Sequence, residues 1–162
     1  MLVNGRERLA CRTRLADLDA PAVRIAALRN LPVVKDLIVD LAPFFESWNQ
    51  VGVAFPDQSK KPIANPAKTQ QTIDAHSDCI TCGLCYSACD VLSHASDFLG
   101  PAALNRAYTL QLDARDVAHQ KRGATIAADG GVFRCHSMGQ CTNVCPKGLD
   151  PLAAIAALKR GA

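Results

Sequence analysis

The 162 residues are 49% hydrophobic by count, which suits one ordinary folded domain, or a domain with a fragment attached, and excludes a disordered tail. Aromatic residues make up only 5% while Ala and Leu are abundant, so helices are expected to outnumber strands. The formal charge of +3 is too mild to argue for a nucleic-acid partner, and no apolar run approaches the roughly 18 residues that a membrane span needs.

In chain order, residues 1 to about 30 have strand-and-turn character: Leu2-Val3 precedes an Asn4-Gly5 turn signal, and Ala22 to Leu28 alternates weakly. The basic stretch MLVNGRERLACRTR has no apolar core, which predicts that it is not a secretory signal. From Leu31 the period changes. Val33, Val34, Leu37, Ile38, Leu41, Phe44, Phe45 and Trp48 recur at three- and four-residue steps, predicting a helix from Pro32 to Asn49, with a kink at Pro43. Residues 52–72, with Pro56, Pro62 and Pro66 among polar residues, read as an exposed linker.

A cysteine block follows, then a helix over Pro101–Gln111 started by Gly100-Pro101, then a polar crossover over Val117–Gly131 of undefined structure. A second cysteine block leads into a final helix that Asp150-Pro151 caps and starts and Lys159-Arg160-Gly161 ends. The second half thus repeats one plan twice: a cysteine block, then a Pro-led helix.

The first block, Cys79-Ile-Thr-Cys82-Gly-Leu-Cys85-Tyr-Ser-Ala-Cys89, has the full C-x2-C-x2-C-x3-C spacing of a cluster-binding run. On the same ruler the second block has Cys135, Cys141 and Cys145 at positions one, three and four, and Met138 at position two. In two-cluster ferredoxins the fourth Cys of each run ligates the other cluster. Applied here, Cys79, Cys82, Cys85 and Cys145 hold a [4Fe-4S] cluster. Cys89, Cys135 and Cys141 supply only three thiolates, which suits a [3Fe-4S] cluster with the weak thioether of Met138 at the vacant corner. Structural zinc takes four ligands in two pairs, and seven Cys in ferredoxin spacing overshoot that. Disulfides would leave an odd cysteine, and eight Cys without a signal sequence point to a reducing compartment.

Cys11 stands apart from both blocks. It reads either as a small buried hydrophobe or as a ligand, and its context resembles the segment around the last ligand of a plant-type [2Fe-2S] domain, whose other three Cys form a C-x4-C-x2-C run upstream. Those ligands are expected either upstream of a misplaced start or on a separate chain. A [2Fe-2S] cluster is expected only if they are supplied.

Taken together, Asn4 to Cys11, Leu31 to Leu37, Cys79 to Cys89, Gly100-Pro-Ala102, Asp113-Ala-Arg-Asp116, Cys135-His-Ser and Cys145-Pro-Lys-Gly148 resemble the iron-sulfur subunit of succinate dehydrogenase or fumarate reductase (complex II), lacking most of its N-terminal [2Fe-2S] domain. The resemblance implies a mainly α fold: an α-helical ferredoxin domain over 31–162 with two cluster-binding loops, preceded over 1–30 by a short β remnant of a plant-type ferredoxin domain. It implies the same ligand sets as the spacing.

It further implies a FAD-containing flavoprotein partner and a membrane-anchor partner with quinone, with the chain peripheral on the cytoplasmic face of the inner membrane, or the matrix face in a eukaryote. No nucleic acid and no membrane span of its own are expected. His136 matches a position at or near the quinone pocket, or else packs beside a cluster, with Ser137 a weaker candidate. Where the family commonly has Pro and a Trp pair, this chain has Asp90-Val-Leu-Ser-His94, so His94 is either a quinone-facing residue or an ordinary loop residue.

The activity this implies is succinate:quinone electron transfer, with quinol:fumarate reduction, a ferredoxin-type carrier or the cluster subunit of another flavoprotein complex as alternatives. No G-x-G-x-x-G follows a strand, so no dicarboxylate chemistry is expected of this chain itself. Lys147 beside Cys145-Pro146 either favours reduced clusters or is simply solvated.

Overall fold

Asn4 and Gly5, at φ of 48° and 78°, turn the chain between β1 (Leu2–Val3) and β2 (Arg6–Glu7). β3 (Ile25–Ala26) pairs with the other edge of β1, giving an antiparallel sheet of order β2-β1-β3. The strand-and-turn reading of the first 30 residues therefore holds. The computed structural model describes residues 1–18, 20–52 and 64–161.

The helix expected from Pro32 does not form at its start. Val33–Lys35 (β4) and Ile38–Val39 (β5) pair as an antiparallel hairpin, and Val33, Val34, Leu37 and Ile38 are exposed. The apolar recurrence spans two elements: Asp36, at φ 51°, turns the chain tightly, and β-branched residues favour the strands on either side. Helix α1 runs over Ala42–Gln50, begun by an Asp40 carboxylate that accepts the Ala42 N–H at 2.8 Å. Pro43 lies in its first turn, where a missing N–H costs no helical bond, so it does not kink the helix.

Of the expected linker, residues 53–63 lie outside the described residues. Its last part is helical, because α2 spans Ala67–Ser77 directly after Pro66. Helices α3 (Leu84–Ser87), α4 (Gly100–Leu112), α5 (His119–Ala127), α6 (Gln140–Asn143) and α7 (Pro151–Gly161) complete the chain. The Pro-led α4 and the capped α7 match expectation, with Asp150 Oδ1 accepting the Ala153 N–H at 3.0 Å. The polar crossover over Val117–Gly131 contains α5.

α4 is the central helix, packed by α7, α2, α1 and α5. Its inward residues Ala103, Leu104 and Ala107 are buried against Phe44, Phe98, Val132 and Ile155. Small residues along this face let the neighbouring helices approach closely. Arg122 on α5 is 1% exposed: it forms a bidentate pair with Asp116, donates from Nε to the Val51 carbonyl at 2.8 Å, and reaches Gln111. One guanidinium thereby ties the end of α1 to α4 and α5. Helices predominate, with two small sheets beside them, and the short α3 and α6, one within each cysteine block, pack against each other.

Candidate metal centres

The two cysteine loops share one backbone. Thr81 and Ser137 have φ of 52° and 59°, and Gly83 and Gly139, each just before a four-residue helix, have φ of 74° and 78°. Such left-handed positions bend the loop so that its sulfurs and N–H groups face inward. The Ser137 N–H approaches Cys135 Sγ at 3.4 Å, and the Thr81 N–H bonds Cys79 likewise. Met138 therefore occupies the backbone position that Cys82 has in the first loop.

Two cavities open on these loops. Cys79, Cys82, Cys85 and Cys145 line one, together with Phe44, Ala102, Asn105 and Leu149. Cys89, Cys135 and Cys141 line the other, together with His136, Ser137 and Met138 and the apolar Val91, Phe98 and Ile155. Seven sulfurs thus divide four and three, and each cavity takes one cysteine from the far block. Among the described residues no three His, Cys, Asp or Glu side chains converge where a single ion could sit. Zinc needs its sulfurs about 2.3 Å from one centre. Thiols ringing a cavity fit a polynuclear iron-sulfur cluster.

Burial pushes the thiols of Cys79, Cys82 and Cys89 up, that of Cys85 well up, and that of Cys141 to about 11. A desolvated sulfur holds its proton until a metal displaces it, so ligation here releases protons. Met138 is 62% exposed at the rim of the second cavity, and His136 and Ser137 are exposed beside it. His94 is exposed after the turn Val91–Ser93 and does not line the cavity.

Cys11 is exposed in a turn over Ala10–Arg12 and joins neither cavity, although its neighbour Arg12 donates to the Pro146 carbonyl at 3.1 Å. Among the described residues nothing buries its side chain. Lys147 lines the first cavity but pairs with Asp78 at 3.1 Å, which offsets part of its charge.

Three residues were not legible as part of these sites. Asn30 Nδ2 lies within hydrogen-bonding distance of the carbonyls of Tyr86, Ser87 and Cys89 and holds the end of the first loop. Lys159 Nζ donates to the Cys135 carbonyl at 2.7 Å and brings a cation to the second loop. Asn105 lies on the wall of the first cavity, 2% exposed. A polar residue on the apolar face of a helix was the available signal for it.

Known proteins match this chain in sequence and fold. A 2Fe-2S iron-sulfur cluster binding domain family matches residues 1–46, and a 4Fe-4S dicluster domain family matches residues 75–149. The fumarate reductase iron-sulfur subunit of Mycobacterium tuberculosis is 39% identical over 96% of this chain and 65% of its own length. That of Haemophilus influenzae is 37% identical over 96% of this chain and 66% of its own length. The chain belongs to the family of fumarate reductase and succinate dehydrogenase iron-sulfur subunits.

The mitochondrial succinate dehydrogenase iron-sulfur subunit of Dictyostelium discoideum is a further member, 34% identical over 98% of this chain and 60% of its own length. A chain of the solved Mycobacterium smegmatis Sdh1 complex in the apo form superposes with a TM-score of 0.86 at 26% identity, over 98% of this chain and 69% of that one. This family member spans about 65% of the length of the M. tuberculosis relative. The matched domains are iron-sulfur cluster binding domains. Among the described residues no helix is long and apolar enough to cross a membrane.

Proposed function

We propose that this chain relays electrons in a complex that interconverts succinate and fumarate at the expense of a quinone pool. The division of seven cysteines into a four-thiol and a three-thiol cavity carries the reading. In it, Cys79, Cys82, Cys85 and Cys145 hold [4Fe-4S], and Cys89, Cys135 and Cys141 hold [3Fe-4S]. Bound clusters supply one-electron carriage. The protein's part is to position and shield them: loop N–H groups stabilise the sulfurs, and Phe44, Phe98, Ile155 and Leu149 keep water from the walls.

The dicarboxylate chemistry then falls to a FAD-containing flavoprotein partner, and a membrane-anchor partner holds the quinone near His136 and Ser137 at the exposed rim of the three-thiol cavity. The chain would sit peripherally on the cytoplasmic face of the membrane, or the matrix face in a eukaryote. Residues 1–30 would form part of a [2Fe-2S] domain, with Cys11 its ligand once three others are supplied, and 31–162 the two-cluster domain. Succinate oxidation is one direction. The names of the two relatives at 37–39% identity favour the reverse, quinol:fumarate reduction.

The test is low-temperature EPR of the oxidised, iron-loaded chain. A [3Fe-4S] signal is expected, with a second signal appearing on reduction from [4Fe-4S]. An oxidised protein that is EPR-silent while holding two four-iron clusters would sink the assignment.

A further inference from the structure

α4 presents a polar side chain to the four-thiol cavity. Asn105 is 2% exposed and lies on the wall formed with Cys79, Cys82, Cys85 and Cys145. Its amide is clamped by His76 at the end of α2. Asn105 Nδ2 lies 3.0 Å from the His76 carbonyl oxygen, and Oδ1 lies 2.7 Å from His76 Nδ1. A carbonyl only accepts, so the nitrogen of the amide must face it. The amide oxygen is then left for the ring, and Nδ1 must carry the proton.

The clamp is itself braced, because the His76 ring meets Tyr108 edge to face at a centroid distance of 5.2 Å. One amide N–H of Asn105 is used on His76. The other has no partner among the described residues, and the wall it shares is lined by cysteine sulfurs. A buried donor left without an acceptor is destabilising, so a residue held here needs one.

We infer that Asn105, oriented by His76, donates its second amide N–H to a sulfur of the [4Fe-4S] site and raises the reduction potential of that cluster alone. The inference rests on the ligand sets proposed above. Adding one electron makes the cluster more negative and its sulfurs better acceptors, so an N–H donor stabilises the reduced form more than the oxidised one. His76 is the positioning residue, acting through Asn105, which lines one cavity and is absent from the other.

The experiment is an EPR-monitored redox titration of the iron-loaded full chain, with dithionite as reductant. Asn105→Leu keeps the side-chain size and removes the donor. It is expected to shift the [4Fe-4S] reduction equilibrium about tenfold toward the oxidised form, a fall of 59 mV for a one-electron couple, with the [3Fe-4S] midpoint unmoved. His76→Phe keeps an aromatic ring beside Tyr108 and the backbone carbonyl but frees the amide oxygen, so that the amide can turn from the sulfur, and is expected to shift it in the same direction. His76→Asn can replace the Nδ1 donor and is expected to restore the midpoint.

Equal shifts at both clusters would overturn the inference, as would unchanged midpoints in both His76→Phe and a cluster-loaded Asn105→Leu. Should Asn105→Leu fail to take up iron, His76→Phe alone decides. A wild-type chain with no [4Fe-4S] signal would instead overturn the ligand sets, and the inference with them.

Discussion

Under the proposed ligand sets, Met138 is the residue on which the cluster type turns. Its loop repeats the left-handed positions of the first loop, so its Cβ stands where Cys82 places a ligand. A thioether there carries no charge and binds iron weakly. Met138→Cys is therefore expected to convert the three-iron site to a four-iron site: the oxidised EPR signal disappears, and iron content rises by one per chain. Persistence of the signal in a folded, iron-loaded variant would show that the loop geometry, not the missing thiol, sets the cluster.

The spacing of the cysteines was fully legible in the sequence because ligands a few residues apart are constrained by the chain itself. Asn30 and Lys159 were not legible, since each bonds a cysteine loop at least 24 residues away, nor was Asn105, whose place on the cavity wall is set by how α4 packs.

Among the elements, α5 shows how a polar segment can be core. The Val117–Gly131 stretch lacks an apolar stripe, yet its buried Arg122, paired with Asp116 just before it, binds α1, α4 and α5 together. Removing one partner leaves the other charge buried, so Asp116→Ala is expected to cost about 3–5 kcal/mol in urea unfolding. Replacing the two together, as Asp116→Leu with Arg122→Met, should recover part of that loss. A cost under about 1 kcal/mol for Asp116→Ala would contradict the bracing role.

At the end of α4, Asp113 accepts from the Arg115 side chain at 2.6 and 2.8 Å and also from the Arg115 N–H. Led by the Arg115 side chain, these bonds lower its pKa to about 2. A carboxyl depressed in the fold contributes stability above its unfolded pKa and loses it as pH falls through the folded value. The difference in urea midpoint between wild type and Asp113→Asn should therefore be full above about pH 4 and close as pH falls toward 2. A difference independent of pH would assign the effect to packing.

Within the β4–β5 hairpin, the same apolar residues that suggested a helix are exposed. Periodicity could not separate these cases, because a helix stripe and a tight hairpin followed by a helix both repeat apolar residues at three- and four-residue steps.

For the whole molecule, the clusters are part of the fold. α3 and α6 have four residues each, far short of the length at which a helix is stable alone, and the loops before them hold residues at positive φ. Cluster ligation supplies what these segments lack. Chelation of the iron is expected to remove hydrogen-exchange protection first over 79–89 and 135–145, while α4 and α7 retain it longer. Reloading with iron and sulfide should restore it. Protection unchanged by chelation would show that packing alone shapes the loops.

The sequence by itself determined the spacing of the cysteines, the shortfall of one in the second block, and the Pro-led helices that follow each block, because these are set by bonded neighbours and local caps. Only the tertiary structure decided which walls the cavities have, where a buried arginine braces the helices, and that Val33 to Val39 is a hairpin. Those outcomes depend on groups brought together across long stretches of chain, where desolvation and a shared surface, rather than sequence distance, select the partner.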